Sequence, residues 1–128
     1  MGTPIGMNLW HLNKFLDKQR FKYKDIYVAM LLFKKGDYIF SFHLKSGYHH
    51  IDIAQVHYKY LGFACSQRYY MFTMLPFGLC TACYLFTTVM WPLVHYWRTH
   101  GLSVVVYLDD ELGAASGMEA ACRHSEMV

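Results

Sequence analysis

Three consecutive acids follow one of the most apolar stretches of the chain. The run from Val104 to Tyr107 predicts a β-branched strand, and Asp109, Asp110 and Glu111 stand at its tip. Adjacent carboxylates repel each other, so their position at the end of a buried strand costs stability unless a cation neutralises them. Hard divalent ions such as Mg²⁺ favour carboxylate oxygens. A polar turn at a hairpin tip, where Asp is common, explains the segment equally well.

The order of the predicted strands and helices around these acids indicates an α+β domain. Strands and helices do not alternate strictly, which favours an antiparallel sheet covered by helices on one face. The predicted elements are a helix over 25–35, a strand over 37–44, a hairpin with strands 59–65 and 69–74, a long helix over 81–100, a strand over 102–107, a returning strand and a final helix.

Local patterns set the expected faces and ends of the helices. Ile26, Ala29, Met30 and Phe33 fall at i, i+3, i+4 and i+7, which predicts one buried apolar face. Asp25 is expected to cap the first turn of that helix.

Two further signals concern the later helices. Pro92 predicts a bend or a fresh start within the long helix, since proline removes a backbone hydrogen bond. Ser116 and Glu119 have the spacing of a capping box and predict the start of the last helix.

The composition excludes a disordered chain, because 55% of the residues are hydrophobic and only 16% are charged. No Asp, Glu, Lys or Arg occurs between Tyr69 and Trp97, a length that could cross a bilayer. However, Pro76, Gly78 and Pro92 interrupt this segment. We therefore predict a buried hairpin followed by a buried helix, with no membrane partner.

The formal net charge of +3 is mild, but the positive residues cluster near the start of the chain. Charge alone favours a solvated connector over a strip that contacts phosphates. We call this cluster the basic strip, and it consists of Lys14, Lys18, Arg20, Lys22 and Lys24.

The segment Met1–Asn8 lacks the charged start and the apolar stretch of a signal peptide, so we expect an intracellular protein, cytoplasmic or nuclear, with free thiols. Cys80 and Cys83 form a lone Cys-x-x-Cys pair, whereas a structural zinc site needs four ligands. Neither this pair nor the neighbouring histidines have a recognisable metal spacing. The other cysteines are Cys65 and Cys122, and the histidines are His49, His50 and His57.

Four motifs occur in an order that resembles the reverse transcriptases. Tyr107-Leu108-Asp109-Asp110 resembles their Tyr-x-Asp-Asp motif, and Leu75-Pro76-Phe77-Gly78-Leu79, followed by Thr81-Ala82 and Phe86, resembles the loop and helix under the incoming nucleotide. Phe42-His43-Leu44-Lys45-Ser46-Gly47-Tyr48-His49 resembles the first catalytic motif, Asp-Leu-x-Ser-Gly-Tyr-His. Asn8-Leu9-Trp10-His11-Leu12-Asn13 resembles the fingers segment Asp-x-Arg-x-Leu-Asn, with Trp10 in place of Arg.

The resemblance covers nearly the whole chain, and its pattern is similar to that of long-terminal-repeat or tyrosine-recombinase retrotransposons. It implies a right-hand polymerase palm over residues 25–128, truncated at the C-terminal end and without a thumb. Residues 1–24 would then be a remnant of the fingers. The implied partners are an RNA or DNA template-primer and deoxynucleotides.

The resemblance also implies roles for individual residues. Asp109 would bridge two Mg²⁺ ions, and Asp110 would support the ion on the primer side. Tyr48 would block a ribose 2′-hydroxyl group and so select deoxynucleotides. Phe77 and Gly78 would form the floor under the nucleotide.

The resemblance also places Leu44 among the expected nucleotide-binding residues, next to the metal position of the first catalytic motif. That metal position is His43, where the family has an Asp that ligates both ions. A neutral imidazole offers one donor nitrogen and no negative charge, and it suits Zn²⁺ or Cu²⁺ better than Mg²⁺. We therefore expect severe loss of polymerase activity.

Two other functions remain open from the sequence. The chain could be an active RNA-directed DNA polymerase within a longer product or with a complementing subunit, which intact Asp109, Asp110 and Tyr48 favour. It could instead be a binding module that holds nucleic acid without chemistry, through the basic strip and exposed aromatic side chains.

Overall fold

The structure, a computed structural model, describes residues 8–20, 22 and 26–128. Its helices and antiparallel strands agree with the predicted mixture of α and β elements. The helices are α1 (Trp10–Asn13), α2 (Ile26–Leu32), α3 (Ala82–Thr99) and α4 (Met118–Glu126), with two 3₁₀ helices at Gly47–His50 and Gln55–Tyr60. The strands are β1 (Tyr38–His43), β2 (Gly62–Cys65), β3 (Arg68–Met71), β4 (Ser103–Tyr107) and β5 (Asp110–Ala115).

The chain divides into two compact units, each built from two separate segments. The loop unit comprises Met1–Arg20 and Ser46–Phe86, and the sheet unit comprises Phe21–Lys45 and Thr87–Val128. The division of the chain into a fingers remnant and a palm stays a prediction.

An antiparallel sheet in the order β1-β5-β4 forms the centre of the sheet unit. A two-residue turn joins β4 to β5, and its first residue, Leu108, has a φ of 55°. A bulky residue seldom adopts this left-handed conformation, so the turn is strained. The turn directs Asp110 into register with His43 on the neighbouring strand.

One face of this sheet carries the aromatic side chains of β1. The ring of Phe42 packs edge-on against Trp97 of α3, with 5.6 Å between the ring centroids. Phe40 lies over Gly113 of β5, where an added Cβ would overlap the ring. A glycine is therefore required at the point where the aromatic ring approaches the strand most closely.

A two-stranded hairpin, β2–β3, is the regular sheet of the loop unit. Its turn residues Ser66 and Gln67 both have positive φ, 49° and 63°, as expected for the turn that matches the twist of a hairpin. The hairpin is shorter than predicted, because the 3₁₀ helix Gln55–Tyr60 replaces part of the predicted first strand.

Helix α3 runs without interruption through Pro92, so the sequence signal for a restart was wrong. A stripe of buried side chains runs along the helix at intervals of three to four residues, and this burial offsets the hydrogen bond that proline removes. The stripe consists of Ala82, Phe86, Met90, Val94 and Trp97.

Helices α2 and α4 differ from the predictions made from local sequence patterns. Of the face predicted for α2, Ala29 is buried, but Ile26 and Met30 are exposed; the expected cap, Asp25, lies outside the described residues. Gly117 is the N-cap of α4 and no side chain caps this end. The predicted capping box was wrong, because the helix begins one residue too late for Ser116 to reach the cap position.

Two expectations about the chain as a whole can be compared with the described residues. Among them, no helix is both long enough and apolar enough to cross a membrane. All four cysteines have free thiols in the structure.

Candidate active site

The tip of the β4–β5 hairpin brings two of the predicted site residues together. Asp110 is the first residue of β5 and pairs with His43, the last residue of β1. The Nδ1 atom of His43 lies 3.6 Å from an Oδ1 atom of Asp110, and both side chains are exposed, to 59% and 88%. This distance is too long for a hydrogen bond, so the pair attracts only when the imidazole is protonated. Asp109 lies next to them in the turn.

Glu111 does not share the exposed tip with the other acids. Side chains alternate across a strand, so Glu111 faces the opposite side of the sheet from Asp110 and pairs with Phe42 and Val106. Its side chain is only 1% exposed. The predicted acidic tip therefore has two exposed carboxyl groups rather than three, and strict alternation along β5 was the signal that could have revealed this.

The environment of Glu111 favours its neutral form. Burial, with a smaller effect from the charges of Asp109 and Asp110, raises the pKa of the Glu111 carboxyl to about 8, against the opposing effect of the Leu44 backbone amide. In the described part of the chain, neither carboxyl oxygen makes a hydrogen bond of standard geometry. The Leu44 side chain is half-buried, and its expected contact with a nucleotide stays a prediction.

The donor atoms at the tip can be compared with the needs of two Mg²⁺ ions. Mg²⁺ prefers oxygen ligands in octahedral geometry, whereas the exposed side offers the carboxyl groups of Asp109 and Asp110 and one imidazole nitrogen from His43. The third acid, Glu111, faces away. Within residues 8–20, 22 and 26–128, no group of three or more His, Cys, Asp or Glu side chains could hold a metal ion. The residues present do not fit a pair of Mg²⁺ ions.

An aromatic cluster in the loop unit surrounds the predicted ribose-selecting residue. Tyr48 is buried, and its ring centroid lies 4.8 Å from that of Phe77 and 5.1 Å from that of Phe86. The Tyr48 hydroxyl lies 3.1 Å from the Cys83 sulfur in α3. The structure thus brings together Tyr48 and Phe77, which the sequence assigned to one nucleotide-binding surface.

The segment Leu75–Leu79, which we call the nucleotide loop, is fixed at both ends. Leu75 and Pro76 are buried at its start. At its end Gly78 has a φ of 91°, and the Asn13 side chain donates a hydrogen bond to the Gly78 carbonyl. Sequence reasoning gave Asn13 no role, since nothing local indicates a partner so distant in the chain.

The basic strip is exposed where it is described. Lys14, Lys18, Arg20 and Lys22 all lie on the surface, and Lys24 lies outside the described residues. The ammonium group of Lys14 sits 3.3 Å above the ring centroid of Trp10, the geometry of a cation–π contact.

Comparison with known proteins decides the family. The model of the reverse transcriptase family (RNA-dependent DNA polymerase) matches residues 7–128. This chain belongs to the reverse transcriptase family. Among curated proteins, a search finds no match to the chain.

Reverse transcriptases generally bind a template-primer and deoxynucleotides and use Mg²⁺. The residues predicted to bind metal, His43, Asp109 and Asp110, fall in the sheet unit together with Leu44, whereas the residues Tyr48, Phe77 and Gly78, predicted to bind the nucleotide, fall in the loop unit. The roles of the individual residues remain predictions.

Proposed function

We propose that this chain is the palm region of a reverse transcriptase from a retrotransposon, and that its nucleotidyl transfer is impaired at His43. The carrying observation is the pairing of His43 with Asp110 across β1 and β5, at 3.6 Å between side-chain atoms. An imidazole thus occupies the position from which a carboxylate would face the acids of the turn.

The impairment follows from the chemistry of the replaced group. An aspartate would add a full negative charge and two oxygens that can bridge cations, whereas a neutral imidazole provides one nitrogen. Each loss of about 1.4 kcal/mol of transition-state stabilisation lowers the rate about tenfold, and loss of a bridging ligand costs several times that amount.

Restoring the acid tests this proposal. We expect His43→Asp to gain calorimetric binding of Mg²⁺ and Mn²⁺ and to incorporate deoxynucleotides on a template-primer at least about a hundredfold faster than the unaltered chain. The matched control is Ser41→Asp, which adds the same charge to the same face of β1, two residues away.

The pattern across variants separates this proposal from its alternatives. Adding Asp110→Asn to His43→Asp should abolish the gain, because the second acid is removed. Equal metal binding by the unaltered chain and His43→Asp would contradict the role given to position 43. Absence of binding in both would show that the acidic tip is not a metal site in this fragment.

A second candidate function is binding of nucleic acid without chemistry. The exposed strip Lys14, Lys18, Arg20 and Lys22 supports it, together with the lysine held over Trp10. If the strip contacts phosphates, affinity for a single-stranded oligonucleotide should fall steeply with salt, and Lys14→Ala with Lys18→Ala should reduce the salt slope. The control pair is Lys34→Ala with Lys35→Ala, two exposed lysines outside the strip; an equal effect of both pairs would remove the strip from consideration.

A further inference from the structure

The side chain of Asn13 links two parts of the loop unit that are far apart in the sequence. Its Nδ2 atom donates a hydrogen bond to the Gly78 carbonyl oxygen at 2.9 Å. Its Oδ1 atom accepts a hydrogen bond from the Cys80 amide at 2.8 Å. Both ends of the carboxamide are therefore used, and the pattern of donor and acceptor fixes the orientation of the side chain.

Asn13 is itself held in place by α1. It is the last residue of that helix, and its backbone amide donates to the Leu9 carbonyl at 2.9 Å. The side chain of Leu9 is buried. The carboxamide therefore projects from an anchored backbone, which makes it an effective fixed point for another segment.

The two bonds reach the nucleotide loop at its C-terminal end, on either side of Leu79. The N-terminal end is held independently, because Leu75 is buried and its amide donates to the Ile51 carbonyl at 2.8 Å. Phe77 lies between these two anchors and is partly exposed. Its position against Tyr48 therefore depends on both ends of the loop.

We propose that Asn13 is a positioning residue for the incoming nucleotide, acting through the backbone of the nucleotide loop. This inference rests on the proposed function, since it assigns Asn13 to the same site. By holding the Gly78 carbonyl and the Cys80 amide, Asn13 keeps Phe77 beside Tyr48 and preserves the floor on which the nucleotide binds. It does not touch the reacting atoms.

The position demands a carboxamide of this length. Aspartate has the same shape but no donor, so it could keep the Cys80 bond but would repel the Gly78 carbonyl. Alanine loses both bonds. The substitutions Asn13→Asp and Asn13→Ala therefore remove the brace in two different ways, and the isosteric change limits any general effect on folding.

The experiment compares four full chains that all carry His43→Asp: this parent, Asn13→Asp, Asn13→Ala and the control Asn8→Ala. Asn8 is exposed and accepts a hydrogen bond from the Trp10 amide without reaching the loop. Two quantities are measured, namely hydrogen–deuterium exchange of the peptide that contains Cys80 and the steady-state kinetics of deoxynucleotide incorporation.

In Asn13→Ala we expect the Cys80 amide to exchange at least about tenfold faster and the KM for deoxynucleotide to rise about tenfold, with kcat within about twofold of the parent. Asn13→Asp should raise KM while leaving Cys80 largely protected. The control should change neither quantity. A purely structural role would instead lower the active fraction and reduce kcat at constant KM.

Unchanged exchange in Asn13→Ala would overturn the brace, and faster exchange with unchanged KM would overturn its role in nucleotide positioning. If the His43→Asp parent incorporates no nucleotide, the proposed function fails and the positioning role fails with it. The exchange measurement needs no catalysis, so it would still determine whether Asn13 holds the loop.

Discussion

The nucleotide loop and the acidic tip satisfy their polar groups to very different degrees. At the end of the loop, Asn13 uses both of its polar atoms in hydrogen bonds of 2.9 and 2.8 Å. At the tip, Asp110 faces a histidine at 3.6 Å, and the buried carboxyl of Glu111 has no hydrogen-bond partner among the described residues.

The two regions therefore differ in how their conformations are stabilised. The loop unit positions its aromatic rings with hydrogen bonds and ring packing. The tip of the sheet unit instead concentrates acids, and adjacent carboxylates repel each other. We expect the removal of an acid near the tip to raise the free energy of unfolding, and the removal of a contact around the loop to lower it.

The largest effect is expected at the buried acid Glu111, because its removal should stabilise the chain. Glu111→Leu replaces an unpartnered carboxyl with an apolar side chain of similar size and should raise the free energy of unfolding by about 2–3 kcal/mol at neutral pH. Chemical denaturation measures this change. A loss of stability would mean that Glu111 has a partner that compensates its burial.

The same residue predicts a pH dependence with a definite sign. The Glu111 pKa is raised from 4.5 to about 8 by burial, so the unfolded chain loses this proton first as the pH rises. Stability should therefore fall between pH 4.5 and about 8, with a slope of at most about 1.4 kcal/mol per pH unit, and stay level above that range. Glu111→Gln should remove this component of the slope, which denaturation over a pH series would detect.

Substitutions at two glycines, one in each unit, test how tightly each position is packed. At Gly113 in the sheet unit an added methyl group would overlap the Phe40 ring, so Gly113→Ala should cost about 2 kcal/mol. At Gly62 in the hairpin the nearest atom would be the Tyr70 carbonyl oxygen at 3.7 Å, an ordinary contact. Gly62→Ala is the matched control and should change the melting temperature far less; equal losses would contradict the difference in packing.

A smaller loss is expected at the sulfur that contacts Tyr48. Cys83→Ala removes the contact of 3.1 Å with the hydroxyl group and should lower the free energy of unfolding by about 1 kcal/mol. Cys83→Ser keeps a polar atom near the hydroxyl and should lose less. If both variants unfold like the unaltered chain in denaturant, the contact contributes nothing to the support of the loop unit.

The smallest effect concerns the predicted capping box. No side chain caps α4, so Ser116→Ala should change thermal stability by less than about 0.5 kcal/mol. A cost of about 1 kcal/mol, as usual for a lost N-cap, would show that Ser116 caps the helix in solution.

Elements with a strong periodic pattern were predictable from the sequence. The strand predicted over 37–44 is observed at Tyr38–His43, and the helix predicted over 81–100 at Ala82–Thr99. Alternation and an apolar stripe are local properties of the chain, so they specify these elements without knowledge of distant partners. The same reasoning placed His43 and the acids at the ends of strands, although it could not pair them.

Features that depend on partners far away in the sequence were not predictable. Helix α2 has the periodicity of a buried face, but two of the four residues of that face, Ile26 and Met30, are exposed. The bonds of Asn13 reach residues more than sixty positions away. The Glu111 side chain faces the opposite side of the sheet from Asp110 because of the register of β5 against β1. The turn sequence alone does not indicate this register.

The pairing of β1 with β5 also has a consequence for how the site assembles. The hairpins β2–β3 and β4–β5 each close over a two-residue turn, but His43 meets Asp110 only after the chain has closed a loop of about 70 residues, at a larger entropic cost. The ladder at the acidic tip should therefore be among the last contacts to form during folding and among the first to open. A destabilised copy of this chain would keep its hairpins and lose the pairing of His43 with Asp110 first.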